Sequence, residues 1–183
     1  MTAVLRFQDV SLVRGGRLLF DGLSLELGPG EALQVSGANG SGKSSLLRLA
    51  AGLLGPAGGR VEAPPAALAD EHLALDPELP LGRALRFWGG DVERGLAAFG
   101  LADLSGVPVR WLSSGQAKRA TLARVAASDA ILWLLDEPLN ALDGHSVERL
   151  DDVIAAHLEN GGAVIAASHQ PLAGQWRKLE LGR

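Results

Sequence analysis

The 183-residue chain contains no cysteine. This excludes disulfides and thiolate metal sites and fits a reducing compartment. Lysine is nearly as scarce: of 17 Lys and Arg residues, only three are lysines. The net charge of −4 leaves no basic field to attract nucleic acid, and no nucleic-acid partner is expected. No apolar run approaches the roughly 20 residues of a membrane span. The longest of note covers 131–135. The first ten residues carry Arg6 and Asp9 and lack the apolar stretch of a signal peptide. No internal repeat, linker or heptad run is visible. These absences point to one soluble domain, 1–183, large enough to bury a core. If it acts at a membrane, another chain supplies the membrane part.

The apolar pattern predicts strands over 4–13 and 18–27, the second alternating as Leu23-Ser24-Leu25-Glu26-Leu27. A third strand over 31–36 precedes a helix over 45–51. Short strands follow at 60–63 and 66–70. From 71 to about 109 the pattern changes to short helical pieces broken by Pro77, Pro80, Gly89-Gly90 and Gly100. A longer helix runs from 115 or 116 to 127. A buried strand at 131–135 and a helix over 146–158 follow, the latter with apolar residues near helical spacing. Strands at 163–167 and 179–181 complete the pattern. Strands alternating with helices imply an α/β fold with a mostly parallel sheet. The middle helical block, about 71–127, reads as an insertion in that sheet.

What the chain does contain is Gly37-Ala38-Asn39-Gly40-Ser41-Gly42-Lys43-Ser44, which reads G-x-x-x-x-G-K-S between a predicted strand and a predicted helix. Such glycines let the backbone turn so that its N–H groups face a β-phosphate at the positive end of the helix. One of the three lysines falls where the motif needs it. Lys43 would reach the β/γ-phosphates, the hydroxyl of Ser44 would ligate Mg²⁺, and Ser45 opens the helix. Taken alone, the stretch is also compatible with a glycine-rich turn.

The strand 131–135 runs into Asp136 and Glu137. A carboxylate there can hold Mg²⁺, and the next can polarise a water for in-line attack on a γ-phosphate. Neighbouring side chains on a strand point to opposite faces, so both serve one site only if the chain turns. Pro138 supplies that turn, because it bars Glu137 from helical geometry. Without a phosphate loop upstream, the same residues would be a core strand and an acidic turn. Leu112-Ser113-Ser114-Gly115-Gln116 reads either as a capped helix start or as a helix N-terminus offering hydroxyl and N–H groups to a phosphate. His169 follows a strand end, where a γ-phosphate contact competes with a purely structural role.

Taken in order, GANGSGKS, LSSGQ, LLDEP, Ala141-Leu142-Asp143 and His169 resemble the ATP-binding cassette of ABC transporters. The resemblance spans nearly the whole chain. It implies a P-loop nucleotidase with a RecA-like core sheet, an N-terminal antiparallel β subdomain and a small helical insertion. It also implies ATP and Mg²⁺, a head-to-tail homodimer of cassettes, and a membrane permease subunit as partner. Each ATP would lie between one chain's phosphate loop and the other's Ser113, Gly115 and Gln116, with Asp143 coupling the two sites. Further phrases are similar to the haem-exporter ATPases of bacterial cytochrome c maturation: Leu-Arg-Phe-Trp at 85–88, the run 109–116, Leu132 to Asp143, and Ser168-His169-Gln170-Pro171-Leu172. That family implies cytochrome c maturation components as partners and a peripheral place on the cytoplasmic face of the bacterial inner membrane. The alternatives are the ATPase of another small exporter and a soluble ABC-type regulator. The latter usually carries two cassettes or long coiled-coil insertions, neither of which is seen here.

Three positions depart from the cassette pattern; at one, Ser114 replaces a glycine often seen in the signature pentapeptide, and little loss is expected because serine tolerates a helix start. Where an aromatic usually stacks on adenine the chain has Arg14, whose planar guanidinium can also stack on a base. Where a lid glutamine is usual it has Glu71-His72. His72 would stand in near Mg²⁺ and the attacking water, or is a surface histidine.

Overall fold

The computed structural model describes residues 3–182. β1 (Leu5–Arg14) and β2 (Arg17–Leu27) form an antiparallel hairpin. Its turn is Gly15-Gly16, at φ 56° and 76°. A two-residue hairpin needs this left-handed pair to match the twist of its strands. β3 (Ala32–Gly37) then leads through the glycine-rich loop into α1 (Lys43–Ala50). β4 (Gly58–Glu62) pairs with the free edge of β1, and β5 (Ala66–Ala69) follows it. Next come α2 (Leu81–Arg86), α3 (Val92–Ala98), two 3-10 turns at Ala102–Leu104 and Val109–Trp111, and α4 (Ser114–Ala127). The chain ends with β6 (Leu132–Asp136), α5 (Gly144–Glu159), β7 (Ala163–Ala167) and β8 (Arg177–Leu181).

Two sheets result. One is antiparallel, in the order β2-β1-β4. The other is wholly parallel, in the order β5-β6-β7-β3-β8. A parallel sheet is stable only with both faces covered, so its strands read as continuous apolar runs. β6 and β7 show why. Leu132, Leu134, Ala163, Ile165 and Ala167 pack with α1 and with Leu5, Phe7, Val10 and Leu12 of the hairpin. Their neighbours Trp133, Leu135, Val164 and Ala166 pack on the other face with α2 to α5, among Leu85, Phe99, Leu122, Leu150 and Ile154. The two-residue alternation of side chains thus divides one run of apolar sequence between two cores.

The α/β architecture and the element order match the sequence expectation, with most ends shifted by one or two residues. α1 begins at Lys43 rather than 45, because Gly42 at φ 105° is its N-cap. β8 begins at Arg177 rather than 179, lengthened by parallel pairing to β3.

Candidate active site

The parallel register brings the C-terminal ends of β3, β6 and β7 to one edge of the sheet. Ligands of open α/β sheets bind at such an edge, where loops leave the strands. The loop after β3 depends on its glycines. Gly37 sits at φ 142°, and a Cβ there would stand 2.4 Å from the carbonyl oxygen of Leu181. A Cβ at Gly42 would press on Leu19 and Phe20 of β2 at 3.3 Å. Beneath the loop, the buried hydroxyl of Ser41 has no hydrogen-bond partner.

A cavity of about 380 Å³ opens above this loop. Asn39, Gly40, Gly42, Lys43, Ser44 and Ser45 form its floor, and Asp136, Glu137 and His169 form its wall. The turn anticipated at Pro138 does place both carboxylates on one cavity. In that turn Glu137 adopts φ 44°, the left-handed region that non-glycine residues rarely occupy.

The side chains facing the cavity contact one another. Lys43 Nζ donates to the carbonyls of Gly37 at 2.9 Å and Ala38 at 3.4 Å, and lies 3.1 Å from His169 Nε2. The same histidine nitrogen is 3.1 Å from Asn39 Oδ1 and 3.5 Å from Glu137 Oε1. It accepts from Lys43 in one tautomer and donates to Asn39 in the other. The His169 loop is held from below by Gln34, whose buried amide donates to the carbonyl of Gln170 at 2.8 Å. Gln34 was not singled out from the sequence, although a lone amide within an otherwise apolar strand was the available signal. Leu19, which lines the cavity from β2, was missed too.

Ser44 and Asp136 fit a divalent cation. They bring one hydroxyl and one carboxylate to the cavity that the phosphate loop faces. Among the described residues no group of three or more His, Asp or Glu side chains gathers into a cage. Mg²⁺ commonly takes one or two protein ligands and completes its shell with phosphate oxygens and water.

The remaining predicted residues lie elsewhere. Ser113 caps α4: its hydroxyl accepts from Gln116 N at 3.2 Å, while Gln116 Oε1 accepts from Ser113 N at 2.8 Å. This reciprocal capping box satisfies two otherwise orphaned N–H groups. Asp143 caps α5 by accepting from Ser146 N at 2.8 Å. Its hydrogen bonds from Ser146 hold the exposed carboxyl below the usual carboxylate range. A Cβ on Gly115 would lie 3.3 Å from the carbonyl of Ala141, so the start of α4 and the 141–143 loop are neighbours. None of Ser113, Gly115, Gln116 or Asp143 lines the cavity. Arg14 is exposed beside the hairpin turn, and His72 is exposed and bound to Asp70, its backbone N–H donating at 3.0 Å. The structure brings neither of them to the cavity wall.

The chain is similar to known proteins in sequence and in fold. The sequence model of the ABC transporter family matches residues 20–140. A cytochrome c biogenesis ATP-binding export protein CcmA from Novosphingobium aromaticivorans is 60% identical over 168 residues, covering 90% of this chain and 88% of that protein. Its namesake from Sphingopyxis alaskensis is 52% identical over 181 residues, covering 94% of this chain and 93% of that protein. Among solved structures, an ABC transporter ATP-binding protein from Pyrococcus furiosus superposes with a TM-score of 0.83 at 22% identity, covering 97% of this chain and 96% of that one. At that identity the superposition supports the fold alone.

Proposed function

We propose a function from one premise: the chain belongs to the ABC transporter family, among the cytochrome c biogenesis ATP-binding export proteins known as CcmA. It is the ATP-hydrolysing subunit of a transporter whose membrane-embedded subunits are separate chains. Among its described residues no helix is long and apolar enough to cross a membrane. We read residues 1–183 as one ATP-binding domain with a helical insertion over about 71–127. We place it on the cytoplasmic face of the bacterial inner membrane, serving a haem-exporter-type complex of cytochrome c maturation.

One observation supports this mechanism: the residues assigned to ATP binding and hydrolysis fall in two groups that do not meet within one chain. The phosphate cavity contains Lys43, Ser44, Asp136, Glu137 and His169. Ser113 and Asp143 lie exposed and outside it. A second copy turned head to tail would bring Ser113, Gly115 and Gln116 to the first copy's nucleotide and set Asp143 at the interface. On ATP binding, Lys43 exchanges its Gly37, Ala38 and His169 contacts for β/γ-phosphate oxygens. His169 is then free to contact the γ-phosphate, and Glu137 polarises the attacking water. Ser44 and Asp136 would hold Mg²⁺, which when bound neutralises charge building on the phosphates.

Ser113→Arg tests this assignment. Its exposed position lets the chain fold, so the variant keeps ATP binding and loses turnover, read by equilibrium nucleotide binding and phosphate release. Unchanged turnover would remove Ser113 from any composite site.

A further inference from the structure

Lys118 is absorbed by no part of the mechanism above, yet it stands directly behind it. It lies one turn into α4, the helix capped by Ser113 and Gln116. Its ammonium donates to the main-chain carbonyl of Asp136 at 3.3 Å. The next backbone group along is bound as well, since the N–H of Glu137 donates to the carbonyl of Ala167 at 2.8 Å. These two groups are the two ends of a single peptide unit, the one joining Asp136 to Glu137. It is therefore clamped from α4 on one side and from β7 on the other. Immediately after the clamp Glu137 turns left-handed, at φ 44°. That conformation costs a non-glycine residue roughly 1–2 kcal/mol and persists only where neighbouring contacts enforce it.

We propose that Lys118 is a positioning residue for hydrolysis. By fixing the Asp136–Glu137 peptide, it holds Glu137 in the left-handed turn that aims the carboxylate into the phosphate cavity. Burial pushes the Lys118 ammonium down from its usual range, and the fields of Asp136, Glu137 and Asp70 oppose that shift. A partly buried cation is costly unless it is paired, so its place here marks a specific task better than a packing role that an apolar residue would fill. α4 also begins with Ser113, Gly115 and Gln116, so the clamp ties the half-site offered to a partner copy to this chain's own hydrolytic carboxylate. The proposal rests on the reading of Glu137 as the water-polarising group.

The test uses the full chain in the complex purified with its membrane subunits. Lys118→Met keeps the aliphatic stem and removes the donor; Lys118→Arg keeps a charged donor; Lys118→Leu, which also has no donor, replaces Lys118→Met if that variant does not fold. Loss of one charge-assisted hydrogen bond expressed in the transition state should lower kcat about ten- to hundredfold, with KM for ATP held within about twofold. Lys118→Arg should recover most of the loss. Undiminished kcat in Lys118→Met, or a loss of ATP binding parallel to kcat, would overturn the proposal. Glu137→Gln in the same assay separates the two readings. If Glu137→Gln is inactive while Lys118→Met is active, only the role of Lys118 falls. If Glu137→Gln turns over normally, the underlying assignment falls.

Discussion

Replacing Glu137 by glycine should leave a more stable protein than replacing it by alanine. Elsewhere in a strand or helix the order is the reverse, because glycine loses more chain entropy on folding, by roughly 0.5–1 kcal/mol. At φ 44° the Cβ of alanine meets the following carbonyl, which costs roughly 1–2 kcal/mol. At the middle of the two ranges, setting the entropy of glycine against that strain leaves glycine ahead by about 0.75 kcal/mol. Both variants lose the 3.5 Å contact between Glu137 and His169, so that term cancels in the comparison. For a chain of this length the difference corresponds to about 1–4 °C in Tm. Thermal unfolding of the two purified variants by circular dichroism reads it directly, and both should lack ATP turnover. Alanine matching or exceeding glycine would mean that residue 137 is not left-handed. The account of how its carboxylate is aimed would then fail.

Two further outcomes are expected. Lys43→Ala should abolish ATP binding or hydrolysis, because no other lysine is near in sequence and the ammonium offsets charge on the β/γ oxygens; normal turnover would remove the phosphate-loop assignment. His157 stacks on Trp133 at 3.7 Å with 8° between the rings, and burial holds its pKa below the usual 6.5. The unfolded chain therefore takes up a proton first as pH falls, so stability should drop below about pH 6.5. His157→Phe should flatten that part of a Tm–pH profile, and an unchanged slope would contradict it.

Most of the fold was legible because the buried parallel strands are apolar on both faces and end in glycine, acidic or histidine residues. The phosphate loop was legible in full, since its glycines and Lys43 have fixed spacing on one short segment. The capped start of α4 at Ser113 was equally readable from local sequence. Glu137 was legible in position, at the end of a strand beside the phosphate loop, but not in its left-handed conformation. The following proline excludes right-handed helical geometry without choosing the left-handed form, and the tertiary contacts of Ala167 and Lys118 to the Asp136–Glu137 peptide hold that form. Gln34 and Lys118 escaped notice because each acts on backbone groups distant in sequence. Arg14 and His72 were placed by likeness to a pattern from which the chain departs, and local sequence carries no signal that the hairpin tip and the segment around His72 lie away from the cavity wall.

The central claim is that two copies of this chain complete each other's hydrolytic sites around ATP. Glu137→Gln keeps the shape of the side chain but loses the charge that polarises water, so it should bind ATP and Mg²⁺ and fail to release the closed pair. Size-exclusion chromatography with light scattering, run with ATP and Mg²⁺, should show twice the monomer mass for this variant and monomer mass without nucleotide. A Glu137→Gln protein that stays monomeric with ATP and hydrolyses it at the wild-type rate would contradict the account.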